Sequence, residues 1–163
     1  RWIPKIAASG TTVGVTTIGA STTTPGAGIL LWGARFTAPS TGNITSISIY
    51  SANTSASLKI KVGIYSDTAG APNVLISPSP VEFTPGTFSA GWKQYSGLSI
   101  PVVSGLVYWI TADWDTSSAM TVYFDVGASG VDYFYVDTYT NPWPLGSSAT
   151  ADTSNLSFQA ILQ

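Results

Sequence analysis

The sequence predicts an all-β fold, a jelly-roll-like β-sandwich of about eight main strands with an extended N-terminal arm. Three observations carry this. Apolar and polar residues alternate with a period of two in segment after segment, the pattern of a strand with one buried face. Helical periodicity is absent, because 16 glycines, 10 prolines and many β-branched residues interrupt every stretch long enough to hold a helix. Turn signals recur at the short intervals that a sandwich requires. A chain of 163 residues suits one domain and buries enough surface to fold without metals or disulfides.

Residues 1–24 read as the arm and residues 25–163 as the sandwich. In the arm, Thr11-Thr12-Val13-Gly14-Val15-Thr16-Thr17-Ile18 has high β-propensity. Strands are expected over Ile29–Thr37 and Ile44–Ser51, separated by the turn residues Pro39 and Gly42. The clearest alternation sets Leu58, Ile60, Val62 and Ile64 toward the core against Lys59, Lys61, Gly63 and Tyr65, with both lysines in solvent. Past the Asp67–Asn73 turn come short strands at Val74–Ile76 and Val81–Thr84. Beyond Pro85-Gly86 follow Trp92–Tyr95 and Leu98–Val103, and Ser104-Gly105 leads into Leu106–Asp113. Met120, Val122, Phe124 and Val126 form one strand face, and Asp132–Tyr139 follows the Gly127–Gly130 turn. Last, Leu156, Phe158, Ala160 and Leu162 alternate with Ser157, Gln159 and Ile161.

The arm is the oddest segment, because no residue between Lys5 and Arg35 carries a formal charge. Fully extended, Ile6 to Gly19 reaches about 46 Å at 3.3 Å per residue, more than twice the length of a typical strand. Two placements are open. The arm is the first strand of its own sandwich, or it is a donor strand that fills the open edge of the next subunit and so builds a filament head to tail. In the second case Trp2, Ile3, Ile6, Val13, Val15 and Ile18 are the subunit contacts.

Several runs resemble a broad group of secreted jelly-roll-like domains found in bacterial and archaeal cell-surface proteins and phage tail proteins, including the kind labelled choice-of-anchor. They are Phe36-Thr37-Ala38-Pro39-Ser40-Thr41-Gly42, Ile47-Ser48-Ile49-Tyr50, Gly63-Ile64-Tyr65-Ser66-Asp67 with Gly70-Ala71-Pro72, Gly91-Trp92, and Gly105-Leu106-Val107-Tyr108-Trp109-Ile110. The resemblance covers about Thr11 to Gln163 and implies a β-sandwich in an extracellular setting. It brings no catalytic residues. The stretch before Phe36 departs from it in being longer and more uniformly uncharged than a simple module needs.

Composition removes most other chemistry. With no cysteine and no histidine, the chain lacks thiolate nucleophiles, Ser-His and Cys-His catalysis, and His or Cys zinc sites. Six basic and eight acidic residues, scattered along the sequence, give no footprint for nucleic acid or anionic lipid. No apolar run reaches the length of a membrane span. Asp113 and Asp115 flank Trp114, share a strand face and stand about 7 Å apart, within the range of a glycosidase pair, but there is one glutamate, Glu82, and no basic residue near them in sequence to support hydrolysis. With Asp125, Asp132 and Asp137 their spacing matches no EF-hand loop, and solvated strand-end carboxylates are the expectation over a calcium site in a sandwich loop. No cofactor motif is present.

Two kinds of site remain. Asn43-Ile44-Thr45, Asn53-Thr54-Ser55 and Asn155-Leu156-Ser157 match the N-glycosylation sequon, with Asn53 in a turn the best acceptor. Tyr133, Tyr135, Tyr139 and Trp143, with Asn141, form the densest aromatic group, in which Tyr133 and Tyr135 share a face and Phe134 points away. Such rings stack on sugars or pack a core. A surface with so few charges tends to associate. The expected function is therefore a self-associating, glycosylated structural subunit of an extracellular filament or cell-surface fibre, a homo-oligomer or homopolymer assembled by strand donation or edge pairing and not an enzyme. The alternative is a non-catalytic carbohydrate-binding or adhesive module that uses the Tyr133–Trp143 region on surface glycans.

Overall fold

A computed structural model describes residues 9–116, 118–127 and 131–163. Two antiparallel sheets pack face to face. In the first are β1 (Thr11–Gly14), β2 (Ser21–Thr23), β4 (Gly42–Asn53), β8 (Phe88–Val102), β10 (Met120–Val126), β13 (Ser154–Leu156) and β14 (Phe158–Leu162). In the second are β3 (Ile29–Thr37), β5 (Ile60–Thr68), β6 (Ala71–Leu75), β7 (Val81–Phe83), β9 (Val107–Trp114), β11 (Asp132–Val136) and β12 (Thr150–Asp152). The long strands β3, β4, β5, β8, β9, β10, β11 and β14 alternate between the sheets, so each connection crosses the sandwich.

The core follows from the alternation. Ile60, Val62 and Ile64 of β5 and Ile110, Ala112 and Trp114 of β9 face Ile44, Ile47 and Ile49 of β4 and Phe158, Ala160 and Leu162 of β14, all buried. β3 keeps an apolar face through a bulge between Trp32 and Ala34, which turns Leu31, Ala34 and Phe36 inward. Gly33 is required there, since a Cβ would stand 2.6 Å from Cδ2 of Phe158.

Some elements differ from expectation. Trp92–Tyr95 and Leu98–Val103 are one strand, β8, joined through Gly97 at φ +85 opposite a register shift in β4. The last strand is broken at Ser157, whose N–H turns to donate to the Tyr123 carbonyl. β11 ends at Val136, short of Tyr139. Strands β2 and β12 have no apolar alternation and are placed by backbone pairing, β2 with β10 and β12 with β11.

The outward face of β5 is the main correction. Lys59 is exposed as expected, but Lys61 is half-buried and Tyr65 has no exposed surface. The reason is a second core. Leu30, Trp32, Tyr65 and Trp109 cluster on the outer face of the second sheet, with Leu75, Tyr133, Tyr135, Trp143 and Ala149 packed against them. The chain after β11 folds back over this face, and the Tyr65 hydroxyl fastens it by donating to the Pro144 carbonyl at 2.7 Å.

Residues 11–14 take the first of the two placements open in the sequence. β1 pairs with β14 of its own chain, Thr11 opposite Leu162 and Gly14 opposite Gln159, and β2 pairs with β10. A division at residue 24 therefore cuts through the first sheet. Val13 is buried and Val15 half-buried, whereas Ile18 is 52% exposed. Trp2, Ile3 and Ile6 lie outside the described residues.

Candidate functional site

The strand pairings define two poles. At one, the end of β14 meets the start of β4, and Gln163 and Asn43 exchange backbone hydrogen bonds; β1 begins here. At the other, β4 ends, β5 begins and β9 ends, with Ile60 opposite Trp114. A cleft of about 640 Å³ opens at this second pole, lined by Ala27, Lys59, Lys61, Glu82, Asp115, Asp137, Thr138, Tyr139 and Thr140.

Register brings its charges together. Lys61 stands opposite Asp113 of β9 on one side and Glu82 of β7 on the other. Its ammonium donates to the Tyr139 carbonyl at 2.6 Å and lies 4.2 Å from the centre of the Tyr139 ring. The Tyr139 hydroxyl donates to Glu82 Oε2 at 2.9 Å, and Lys59 reaches Glu82 Oε1 at 3.6 Å. Burial and the Glu82 carboxylate push the Tyr139 hydroxyl far above its ordinary pKa. Asp115 Oδ1 accepts from the Lys59 N–H and the Thr116 hydroxyl, and Asp137 Oδ1 accepts from Thr138 N–H and Asn141 Nδ2.

Behind Lys61 lies Asp113, 4% exposed, with Oδ1 unpartnered. Burial raises its pKa to about 6, against the relief given by the Trp114 N–H, Lys61 and the nearby Trp143 indole. Trp143 Nε1, Trp32 Nε1 and Thr111 Oγ1 on the same outer face also have no hydrogen-bond partner. Six of the chain's charged side chains, Lys59, Lys61, Glu82, Asp113, Asp115 and Asp137, thus gather at one pole of a molecule that has only fourteen. These residues are scattered along the sequence; the cross-strand register, which no local pattern reveals, brings them together. Among the described residues no group of His, Cys, Asp or Glu is arranged to hold a metal ion.

The aromatic candidates divide. Tyr133 and Tyr135 share the outer face and Phe134 packs on the main core. Tyr133 meets Trp109 edge to face at 5.3 Å, and Trp143 lies over Tyr65 at 6.2 Å, in the space that Gly63 leaves open. Tyr139 is buried and belongs to the cleft. At the far end of this face Asp67 accepts from Trp109 Nε1 at 2.9 Å and pairs with Arg35 at 3.0 Å. Burial would raise the Asp67 pKa, but the hydrogen bonds from Arg35, Gly70 and Trp109 outweigh it and hold the carboxyl below its ordinary value.

The sequons also differ in environment. Asn43 is exposed and Asn155 half-buried. Asn53 is not in a turn: it ends β4, is 2% exposed, and its Nδ2 donates to the Ser55 and Gly86 carbonyls. The folded chain offers no room for a glycan on that nitrogen.

Comparison with known proteins gives the fold alone. No family model and no curated protein matches the sequence. The chain is similar in structure to a clostridial cysteine protease, Cwp84, after propeptide cleavage, with a TM-score of 0.59 and 12% sequence identity. The match covers 88% of this chain but only 37% of the protease. No helix among the described residues is long and apolar enough to cross a membrane.

Proposed function

We propose that the protein is a self-associating structural subunit of an extracellular filament or cell-surface fibre, without catalytic activity, whose copies join through the N-terminal arm by strand exchange or edge pairing. The observation that carries this reading is the arm itself. Residues 9–24 are uncharged and lie along the rim of the first sheet, with Val13 buried in the core and the half-buried Val15 packed against it, while Ile18 is exposed. Thr24-Pro25-Gly26-Ala27-Gly28 then joins them to β3. A rim strand so lightly anchored suits exchange between copies or extension by a neighbour. A glycan on exposed Asn43 fits the extracellular setting, and intact-mass analysis of native material tests it.

Electron microscopy of the full chain, with light scattering of a chain lacking residues 1–24, tests the assembly. Filaments from the first and folded monomers from the second are expected; monomers from both would overturn the reading. The cleft supports a second reading, a non-catalytic carbohydrate-binding module, because carboxylates, ammonium groups and hydroxyls converge there on a space of sugar size. A monomeric chain that binds a glycan array would favour it.

A further inference from the structure

We infer that the outer face of the first sheet binds a neutral polysaccharide, on a row of three aromatic rings made by Trp92, Tyr50 and Tyr123. The site shares no residue with the arm or the cleft. Every other aromatic side chain among the described residues packs in one of the two cores or lines the cleft. These three do neither, and all are half-buried.

Register lines the rings up. Tyr50 of β4 stands directly opposite Trp92 of β8, and the pairing of Ser51 with Val122 sets it beside Tyr123 of β10. Alternation points all three outward, because Ile49, Ser51 and Val122 turn inward and are buried. Tyr50 meets Trp92 edge to face at 5.5 Å and Tyr123 edge to face at 4.9 Å, so the middle ring braces the outer two. Across three adjacent strands the outer rings stand about 10 Å apart, the length of a disaccharide. Tyrosine and tryptophan held in this way present rigid, amphipathic contact area at little cost in side-chain entropy.

The surroundings select an uncharged ligand. The seven strands of the first sheet contain two charged residues, Lys93 and Asp125. Lys93, opposite Ile49, turns to the other face, where its ammonium donates to the Pro85 carbonyl, and Asp125 Oδ1 accepts from the Ala20 N–H. A nucleic acid strand stacks its bases on such rings but needs cations along its phosphates, and this face supplies none. Beside the rings, on the same face, stand Gln94, Thr121 and Gln159. Their amides and hydroxyl donate to and accept from hydroxyl groups. A neutral sugar chain, apolar on its ring faces and hydroxylated at its edges, matches both the rings and their neighbours.

The full chain on an array of neutral, amino-substituted and sulfated glycans tests this. Binding to neutral glycans is expected, unchanged between low and high salt because no ion pair supports it. Trp92→Ala and Tyr123→Ala should each weaken it about tenfold, with melting temperatures nearly unchanged because both rings lie outside the cores. Trp92→Phe, which keeps a flat ring, should restore most of the affinity. Binding that survives both alanine substitutions would overturn the site; if Glu82→Gln abolishes it instead, the cleft reading stands. A preference for charged glycans, or loss of self-association in place of glycan binding, would overturn the site as well. No binding anywhere on the array would overturn both the site and the carbohydrate reading of the cleft.

Discussion

On its inner face the second sheet presents Ile60, Val62, Ile64, Ile110 and Ala112 to the opposite sheet; on its outer face it presents Trp32, Tyr65 and Trp109 to the chain that returns after β11. Both sets are buried. The inner face is closed mostly by aliphatic side chains, with Trp114 Nε1 and the Tyr95 hydroxyl the polar atoms of this core that are buried without a partner. The outer face is closed by aromatic rings whose polar ends need partners, and Trp32 Nε1, Thr111 Oγ1, Asp113 Oδ1 and Trp143 Nε1 do not find them. A buried polar group left unpaired costs about 1–3 kcal/mol. Four of the six such atoms found among the described residues therefore lie on the face that leads to the cleft.

The sharpest way to break this comparison is to remove an outer ring. Trp109→Ala is expected to lower the unfolding free energy by about 3–5 kcal/mol in chemical denaturation, as much as a large truncation between the sheets. A loss below about 1 kcal/mol would make the outer cluster an accessory. Next is Gly63→Ala, whose Cβ would stand 2.8 Å from Trp143 Cζ3 and 3.0 Å from Ser79 Cβ. It should cost about 1–3 kcal/mol, with red-shifted tryptophan fluorescence as Trp143 lifts.

A smaller effect follows pH. Burial raises Asp113 to about 6; burial and the facing Asp152 raise Asp132 to about 7. Both favour the protonated form in the folded state, so their contribution is present below the ordinary carboxylate pKa and is lost as pH rises through about 6 and 7. The melting temperature should climb by a few degrees from pH 8 to pH 5. Asp113→Asn with Asp132→Asn should flatten the climb. The smallest effect belongs to Arg35→Ala, below about 1 kcal/mol, because Arg35 is 46% exposed and Asp67 keeps its bonds from Trp109 and Gly70.

The same contrast explains what could be read from the sequence. Leu156, Phe158, Ala160 and Leu162 announce a buried face by alternation, and the structure buries all four. Alternation says which residues share a face but not whether that face is covered. Lys61, Gly63 and Tyr65 read as solvent-facing, and it is largely Tyr139, Trp143 and Pro144, nearly eighty residues later in the chain, that cover them. The cleft was hidden for a related reason. Glu82, Asp113 and Lys61 are distant in sequence and adjacent only through the pairing of β7, β5 and β9. Asn53 read as a turn because Asn-Thr-Ser is turn chemistry, yet β4 runs on through it.

Sedimentation velocity over a wide concentration range, on the full chain and on a chain lacking residues 1–24, tests the central claim most directly. That truncation removes the rim strands β1 and β2. Assembly through the arm predicts growing oligomers from the full chain and a folded monomer from the shorter one. Equal assembly by both, or monomers from both, would contradict it.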